Sequence, residues 1–160
     1  MIDFKKIVLT TDFSKSAEAA TPSAIQLARK FGGCIHLLHV FDFDQYIPDA
    51  FMAGIVMGVS SWIESQREQP QRLLNAIAKS LAESHSIEVL PILLNGHPAR
   101  EIANYAQKNG MDCIVIATHG AGPLSHAVFG SVAERVVRLS PCSVLTVRSF
   151  GRPEQSSLVK

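Results

Sequence analysis

Cys113-Ile114-Val115-Ile116-Ala117, running directly into Thr118-His119-Gly120-Ala121-Gly122-Pro123, is the stretch that decides the fold. Five apolar residues with no in-out alternation predict a strand buried on both faces, which is the habit of a parallel sheet. A long turn, Ala117 to Gly130, follows, and Ser131 to Leu139 then reads as a helix closed by Ser140-Pro141. The unit is strand, glycine-bearing turn, helix, with Val144 to Val147 as the next strand.

The same alternation extends towards the N-terminus. Ile7-Val8-Leu9-Thr10 is a β-branched first strand, and Asp12-Phe13-Ser14 stands at its C-terminal end. Ala20, Ala24, Leu27 and Ala28 share a helical face; Pro22 inside that pattern predicts either a kink or a later helix start, and Gly32-Gly33 the end. Cys34 to Val40 is the second strand. From about Trp62 a long helical segment follows, with an interruption expected near Pro70 and a core stripe of Leu73, Ile77 and Leu81 beside Leu74, Ala78 and Ala82. Ile87 to Leu94 is a third strand, weakened at Pro91; Pro98 suits the first position of a helix whose inner face holds Ile102, Tyr105 and Ala106, and Asn109-Gly110 closes it. Five strands alternating with helices predict an α/β domain with a parallel sheet covered on both faces. Residues 1–149 are expected to form this single domain and 150–160 a flexible C-terminal tail.

Composition fits that class. Of 160 residues, 47% are hydrophobic and 18% charged, enough to build a core and too little charge for a disordered chain. A net charge of +1, with lysines and arginines scattered, gives no reason to expect nucleic acid as a partner. Cys34, Cys113 and Cys142 are odd in number and widely spaced, and the two within strands, Cys34 and Cys113, are expected to be buried thiols. Without a disulfide framework or zinc spacing, a reducing cytoplasm is the expected location. Met1 to Lys6 leads straight into a strand, so no signal peptide is expected, and the apolar run Ala50 to Val59 has about half the length of a membrane span. No membrane association is expected.

Open parallel sheets bind ligands beyond the C-terminal ends of their strands, where the strand order reverses. The turn after the fourth strand suits an anion there. Gly120 and Gly122 let backbone amides approach closely, and Gly130-Ser131 opens a helix whose free N–H groups favour phosphate. Ser131 and Glu134 also have capping-box spacing, which would satisfy the helix end without a ligand. A Walker P-loop is absent, and Gly120-Ala121-Gly122 fails as a dinucleotide fingerprint because Ser125 stands where the third glycine belongs. His119 in the turn has two readings, a phosphate contact or base and a solvent-facing side chain. His39 reads as a satisfied core histidine, and His97 and His126 have no partner at metal spacing. Asp12 is open to two readings here, a helix cap and a Mg2+ ligand beside a phosphate. No nucleophile with an adjacent base is readable, so no catalytic set is assigned.

The turn resembles the nucleotide-binding signature of the universal stress protein family: Gly, two residues, Gly, nine residues, Gly, then Ser or Thr. Gly120, the nine residues Ala121 to Phe129, Gly130 and Ser131 match, while Ala117 replaces the first glycine. The resemblance spans nearly the whole chain. It takes in Lys6-Ile7-Val8, Asp12-Phe13-Ser14, Leu38-His39-Val40, Gly96-His97-Pro98, Ser131 to Val136 and Pro141-Cys142-Ser143-Val144-Leu145. It implies a Rossmann-like five-stranded sheet of order 3-2-1-4-5 and an adenine nucleotide, ATP with or without Mg2+, as cofactor. The adenine would lie between strands one and two, near Thr10, Thr11 and Asp12, with the Val40 backbone meeting the base. Ala117, Thr118, His119, Gly120 and Gly122, with the amides of Gly130, Ser131 and Val132, would hold ribose and phosphates. The methyl of Ala117 is tolerated if its backbone torsion is ordinary, and weakens binding if φ must be positive.

The implied role is a stress-response or signalling module without committed turnover. Its alternatives are a dimeric partner-binding protein whose turn is filled by its own cap, and a slow ATPase. Relatives that activate substrates with ATP carry Ser-Gly-Gly-x-Asp after strand one, where this chain has Thr11-Asp12-Phe13-Ser14. The resemblance also implies a homodimer through Val144 to Val147. Phe41 to Ser61, rich in apolar residues, reads as a lid or partner surface, or as a short helix packed on the same domain.

Overall fold

The structure, a computed structural model, describes residues 3–42, 59–118 and 130–148, with 59–63 described by backbone alone. Strands β1 (Lys6–Thr10), β2 (Cys34–Phe41), β3 (Val89–Asn95), β4 (Cys113–Ala117) and β5 (Ser143–Val147) form one sheet of order β3-β2-β1-β4-β5. Every adjacent pair is parallel. This is the Rossmann-like architecture that the family resemblance implied. Helices α1 (Lys15–Glu18), α2 (Thr21–Phe31), α3 (Val59–His85), α4 (Pro98–Asn109) and α5 (Ser131–Leu139) connect the strands.

Alternation along the strands sorts the core into two layers. Ile7, Leu9, Ile35, Leu37, Cys113, Val115 and Ala117 pack with Ala24 and Ala28 of α2 and Leu74 and Ala78 of α3. Val8, Leu38, Val40, Ile114 and Ile116 pack on the other face with Ala99, Ile102 and Ala106 of α4 and Ala133 and Val136 of α5. All five residues of β4 are buried, as their unbroken apolar run requires.

Of the two helical prolines, Pro22 marks a later helix start, one of the two outcomes expected of it, and Pro70 departs from expectation. Pro22 occupies the first turn of α2, so the alanine-rich segment splits into a single turn, α1, and a later helix instead of kinking. Pro70 lies inside α3, which continues through it for 27 residues without the expected interruption. The residues on either side, Glu68, Gln69, Gln71 and Arg72, are exposed or partly so, which lets water take up the carbonyl that proline cannot satisfy. The α3 stripe is also rotated from its expected position. Leu74 and Ala78 are buried, with Ile77 and Leu81 packed beside them, while Leu73 is 43% exposed. Spacing of i, i+3, i+4 and i+7 from Leu74 selects that face and leaves Leu73 outside it.

Pro91 sits in β3, an edge strand. The bonds Ile35 N–H to Glu88 C=O and Gly96 N–H to Phe41 C=O show that even-numbered residues of this segment face β2. Odd-numbered Pro91 therefore turns its missing N–H outward, where no ladder bond is lost. Gly33 makes a close approach: a Cβ there would stand 2.5 Å from the Lys5 carbonyl oxygen, beside the bond from Cys34 N–H to that same carbonyl. Cys113 is buried as expected, whereas Cys34 and Cys142 are only partly covered. The expected lid segment lies largely outside the described residues, as does the tail 150–160.

Candidate functional site

The strand order reverses between β1 and β4, since the chain leaves β1 for β2 on one side and returns from β3 to β4 on the other. Thr10 ends β1 and Ala117 ends β4, and the register that pairs Leu9 with Val115 brings the two ends side by side. Among the described residues, the buried polar side chains are Thr10 and Thr118, both at this junction. Hydroxyl groups are costly to bury away from partners, so their concentration here marks the junction as polar within an otherwise apolar sheet.

On one flank β2 overruns β1. The last β1 residue in register is Thr10, opposite Leu38, and Thr11 N–H donates to the Leu38 carbonyl at 3.0 Å. Backbone groups of a strand residue point to one side, alternating along the chain. Leu38 faces β1, so Val40 faces the same way, beyond the end of β1. The Val40 N–H and C=O thus line the open end of the sheet, where the resemblance places the base.

On the other flank, Thr118 N–H donates to the Val147 carbonyl at 2.8 Å, and the Thr118 carbonyl accepts Gly130 N–H. That second bond seats α5 against the end of β4. Gly130 is the N-cap residue, with extended backbone and no side-chain cap, and Glu134 N–H makes the first intrahelical bond, to the Gly130 carbonyl. The capping box weighed from sequence is therefore not formed. Ser131 lies one position inside the helix, and Glu134 instead pairs with Arg138 at 2.9 Å. The first-turn amides of Ser131, Val132 and Ala133 have no intrahelical acceptor and point out of the helix end with its positive dipole. The Gly130 amide, expected to contact phosphate, is committed to Thr118.

Ala117 has an answerable geometry. It is a β4 residue paired with Val147, and the non-glycine residues with positive φ among those described are Phe13 and Ser86. Its torsion is therefore ordinary. Its methyl packs in the layer of α2 and α3, on the opposite sheet face from α5. His119, Gly120 and Gly122 lie outside the described residues.

Asp12 does not cap α1. Ser14 does, its hydroxyl accepting from Ala17 N–H at 3.2 Å. Asp12 Oδ1 supports that cap by accepting both the Ser14 amide at 3.0 Å and the Ser14 hydroxyl at 2.6 Å. Asp12 is exposed at the open end of β1. His39 is satisfied, as expected of a core histidine: Nδ1 lies 2.8 Å from the Thr11 carbonyl, and the ring stacks on Phe13 at 4.4 Å between centroids. Burial lowers its pKa from the ordinary value, partly offset by the Thr11 carbonyl and the Asp12 charge. The left-handed backbone of Phe13, φ 63°, was not legible from sequence, since phenylalanine carries no propensity for it. Among the described residues no group of three or more His, Cys, Asp or Glu is placed to hold a metal ion.

The chain is 32% identical to universal stress protein MJ0531 of Methanocaldococcus jannaschii over 148 residues, 91% of this chain and 82% of that one. The solved structure of MJ0577 from the same organism superposes with a TM-score of 0.79 at 29% identity, covering 93% of this chain and 99% of that one. Two more distant structures share the fold, each covering 92% of this chain and 99% of the other. One is a universal stress protein in complex with cAMP, 18% identical with a TM-score of 0.64. The other is the universal stress protein from Archaeoglobus fulgidus in complex with dAMP, 23% identical with a TM-score of 0.59. The model of the universal stress protein family matches residues 3–148, and the chain belongs to that family.

Proposed function

We propose that this chain binds an adenine nucleotide, ATP with or without Mg2+, at the C-terminal edge of β2, β1 and β4, and serves as a cytoplasmic stress-response or signalling module without committed catalysis. The observation that carries this reading is the uncapped amino end of α5 beside the β1/β4 junction. Three outward N–H groups and a positive dipole end lie where the strand order reverses, with no side chain of the helix's own cap to satisfy them. The Val40 backbone on the opposite flank supplies one donor and one acceptor, the pattern an adenine edge can pair with. Relatives of the same fold that carry cAMP and dAMP support an adenine ligand. The match of Gly120, Gly130 and Ser131 to the family signature supports ATP.

In this reading Asp12, with Thr10 and Thr11, lies against the nucleoside. Ala117, Thr118, His119, Gly120 and Gly122 follow the ribose and phosphates, and Ser131 and Val132 donate to the phosphates. In this reading no catalytic set is assigned, and any ATP hydrolysis is slow and incidental.

Calorimetric titration with ATP, AMP and cyclic AMP, each with and without Mg2+, tests the reading. Binding at micromolar to low millimolar nucleotide is expected; no heat and no thermal shift at millimolar nucleotide sinks it. Gly130→Val places a branched side chain at the helix end and is expected to weaken ATP binding at least about tenfold, a loss of about 1.4 kcal/mol. A variant that binds as well as wild type removes α5 from the site.

The edge position of β5 favours a homodimer through Val144 to Val147. Leu145, together with Val137 and Leu139 on α5, is exposed and apolar. Light scattering that gives the mass of a single chain at micromolar concentration removes this element. Among the described residues no helix is long and apolar enough to cross a membrane.

A further inference from the structure

We infer that His39 is a positioning residue for the nucleotide site, holding the loop that carries Asp12 by binding the Thr11 carbonyl and supporting the Phe13 ring. The inference rests on the nucleotide reading above.

Thr11 leaves β1 and has no further ladder on that strand. Both of its backbone polar groups are nevertheless held by β2: its N–H by the Leu38 carbonyl, and its carbonyl by the His39 ring at 2.8 Å. A carbonyl can only accept, so the proton lies on Nδ1, and the tautomer follows from the bond. The next turn of chain is backbone-strained. Phe13 is held at φ 63°, a region that L residues with large side chains avoid. Two contacts keep it there: its amide donates to Thr11 Oγ1 at 3.0 Å, and its ring lies on the imidazole at 4.4 Å with an interplanar angle of 43°. Asp12 sits between these two pinned residues, and its Oδ1 is tied forward to Ser14.

The imidazole thus grips both neighbours of Asp12. It is also the residue preceding Val40, so one short segment of β2 places the groups on both sides of the proposed base pocket. Removing the Nδ1 donor leaves a carbonyl without its partner and a left-handed Phe13 without half of its support. The loop then populates other torsions, and Asp12 is no longer pre-positioned.

Three variants separate this role from simple packing. His39→Asn keeps a donor near the Nδ1 position, His39→Gln moves it one methylene further to the Nε2 position, and His39→Phe keeps a ring without a donor. Each is titrated calorimetrically with ATP and Mg2+, well below its own melting temperature, and amide exchange is followed at Asp12, Phe13 and Ser14 without nucleotide. The expected pattern is a loss of about tenfold in affinity for His39→Gln and His39→Phe, and less than about threefold for His39→Asn, with faster exchange only in the first two. A packing role predicts no difference between the two amides. Equal ATP affinity in wild type, His39→Gln and His39→Phe overturns the inference while leaving the nucleotide site standing. Wild-type protein that binds no adenine nucleotide overturns the nucleotide reading itself, and the positioning role with it. If His39→Phe does not fold, the comparison of His39→Asn with His39→Gln decides.

Discussion

Restoring the family glycine by Ala117→Gly puts the site geometry to its sharpest test. The replaced residue is extended, in register with Val147 and only 8% exposed, with its methyl in the layer of α2 and α3. Glycine therefore gains nothing from its torsional freedom at this position, and no atom facing α5 is removed. What it loses can be estimated. A buried methyl contributes about 0.8 kcal/mol, and glycine within a strand costs about 0.5–1 kcal/mol relative to alanine. Together these predict a loss near 1.5 kcal/mol. For a chain of this size that is a fall of about 3–6 °C in melting temperature. ATP affinity, by contrast, is expected to stay within about threefold of wild type, less than 0.7 kcal/mol. Thermal unfolding and calorimetric titration on the same preparations read both numbers. ATP binding tightened tenfold or more by the substitution would refute the reasoning, because it would mean that the methyl obstructs the ligand after all.

Other expectations follow from the packing and the buried titratable groups. Leu74→Ala removes a side chain with 0% exposure and should cost about 2–5 kcal/mol in urea unfolding, whereas Leu73→Ala on the outer face should cost under about 0.5 kcal/mol. Burial pushes the Cys113 thiol up to about 11, so iodoacetamide at pH 8 should label Cys34 and Cys142 well before Cys113, as read by peptide mass spectrometry. Burial lowers His36 and His39 below the ordinary imidazole value of 6.5, so the unfolded chain takes up their protons first. The stability they contribute is present in full above about pH 6.5 and is lost as pH falls from there towards their depressed folded values. Urea unfolding between pH 7 and pH 5 should show that decline, and His36→Gln should flatten part of it.

Much of this molecule is legible in its residues, and the illegible parts have definite causes. The unbroken apolar run of Cys113 to Ala117 and the bounds Ser131–Leu139 carry over from sequence to structure unchanged, because burial on both faces and a proline stop leave little choice. The strand order came from the resemblance, since apolar runs alone do not say which strand pairs with which. Leu73 was misassigned because Leu73 and Leu74 each start a plausible stripe; only contact with the β2 and β3 layer selects one. Ser131 and Glu134 have capping-box spacing, yet the bond from Gly130 to Thr118 accompanies an N-cap at Gly130 in place of Ser131, a long-range tie that no local pattern encodes. The same holds at the site. Thr10 and Thr118 were legible as strand-end residues, but the overrun of β2 past β1, which aims the Val40 backbone, depends on register. The grip of His39 on Thr11 joins residues 28 apart in sequence and is likewise visible only once the sheet is assembled.

The outward-facing Pro91 bears on how many copies of the chain can join. A five-stranded open sheet has two rims, and strand addition at both would propagate without end into a fibre. Here the rims differ in valence. Along β3 the proline withdraws a donor from the outer row, so an incoming strand meets a gap in its ladder. Along β5, Ser143 to Val147 includes no proline and keeps its donors. Two copies that meet through β5 about a twofold axis exhaust the competent rim of each, and the pair then presents only blunted rims to a third. In the proposed dimer, one imino acid on each far edge leaves a third copy no unbroken row of donors to join.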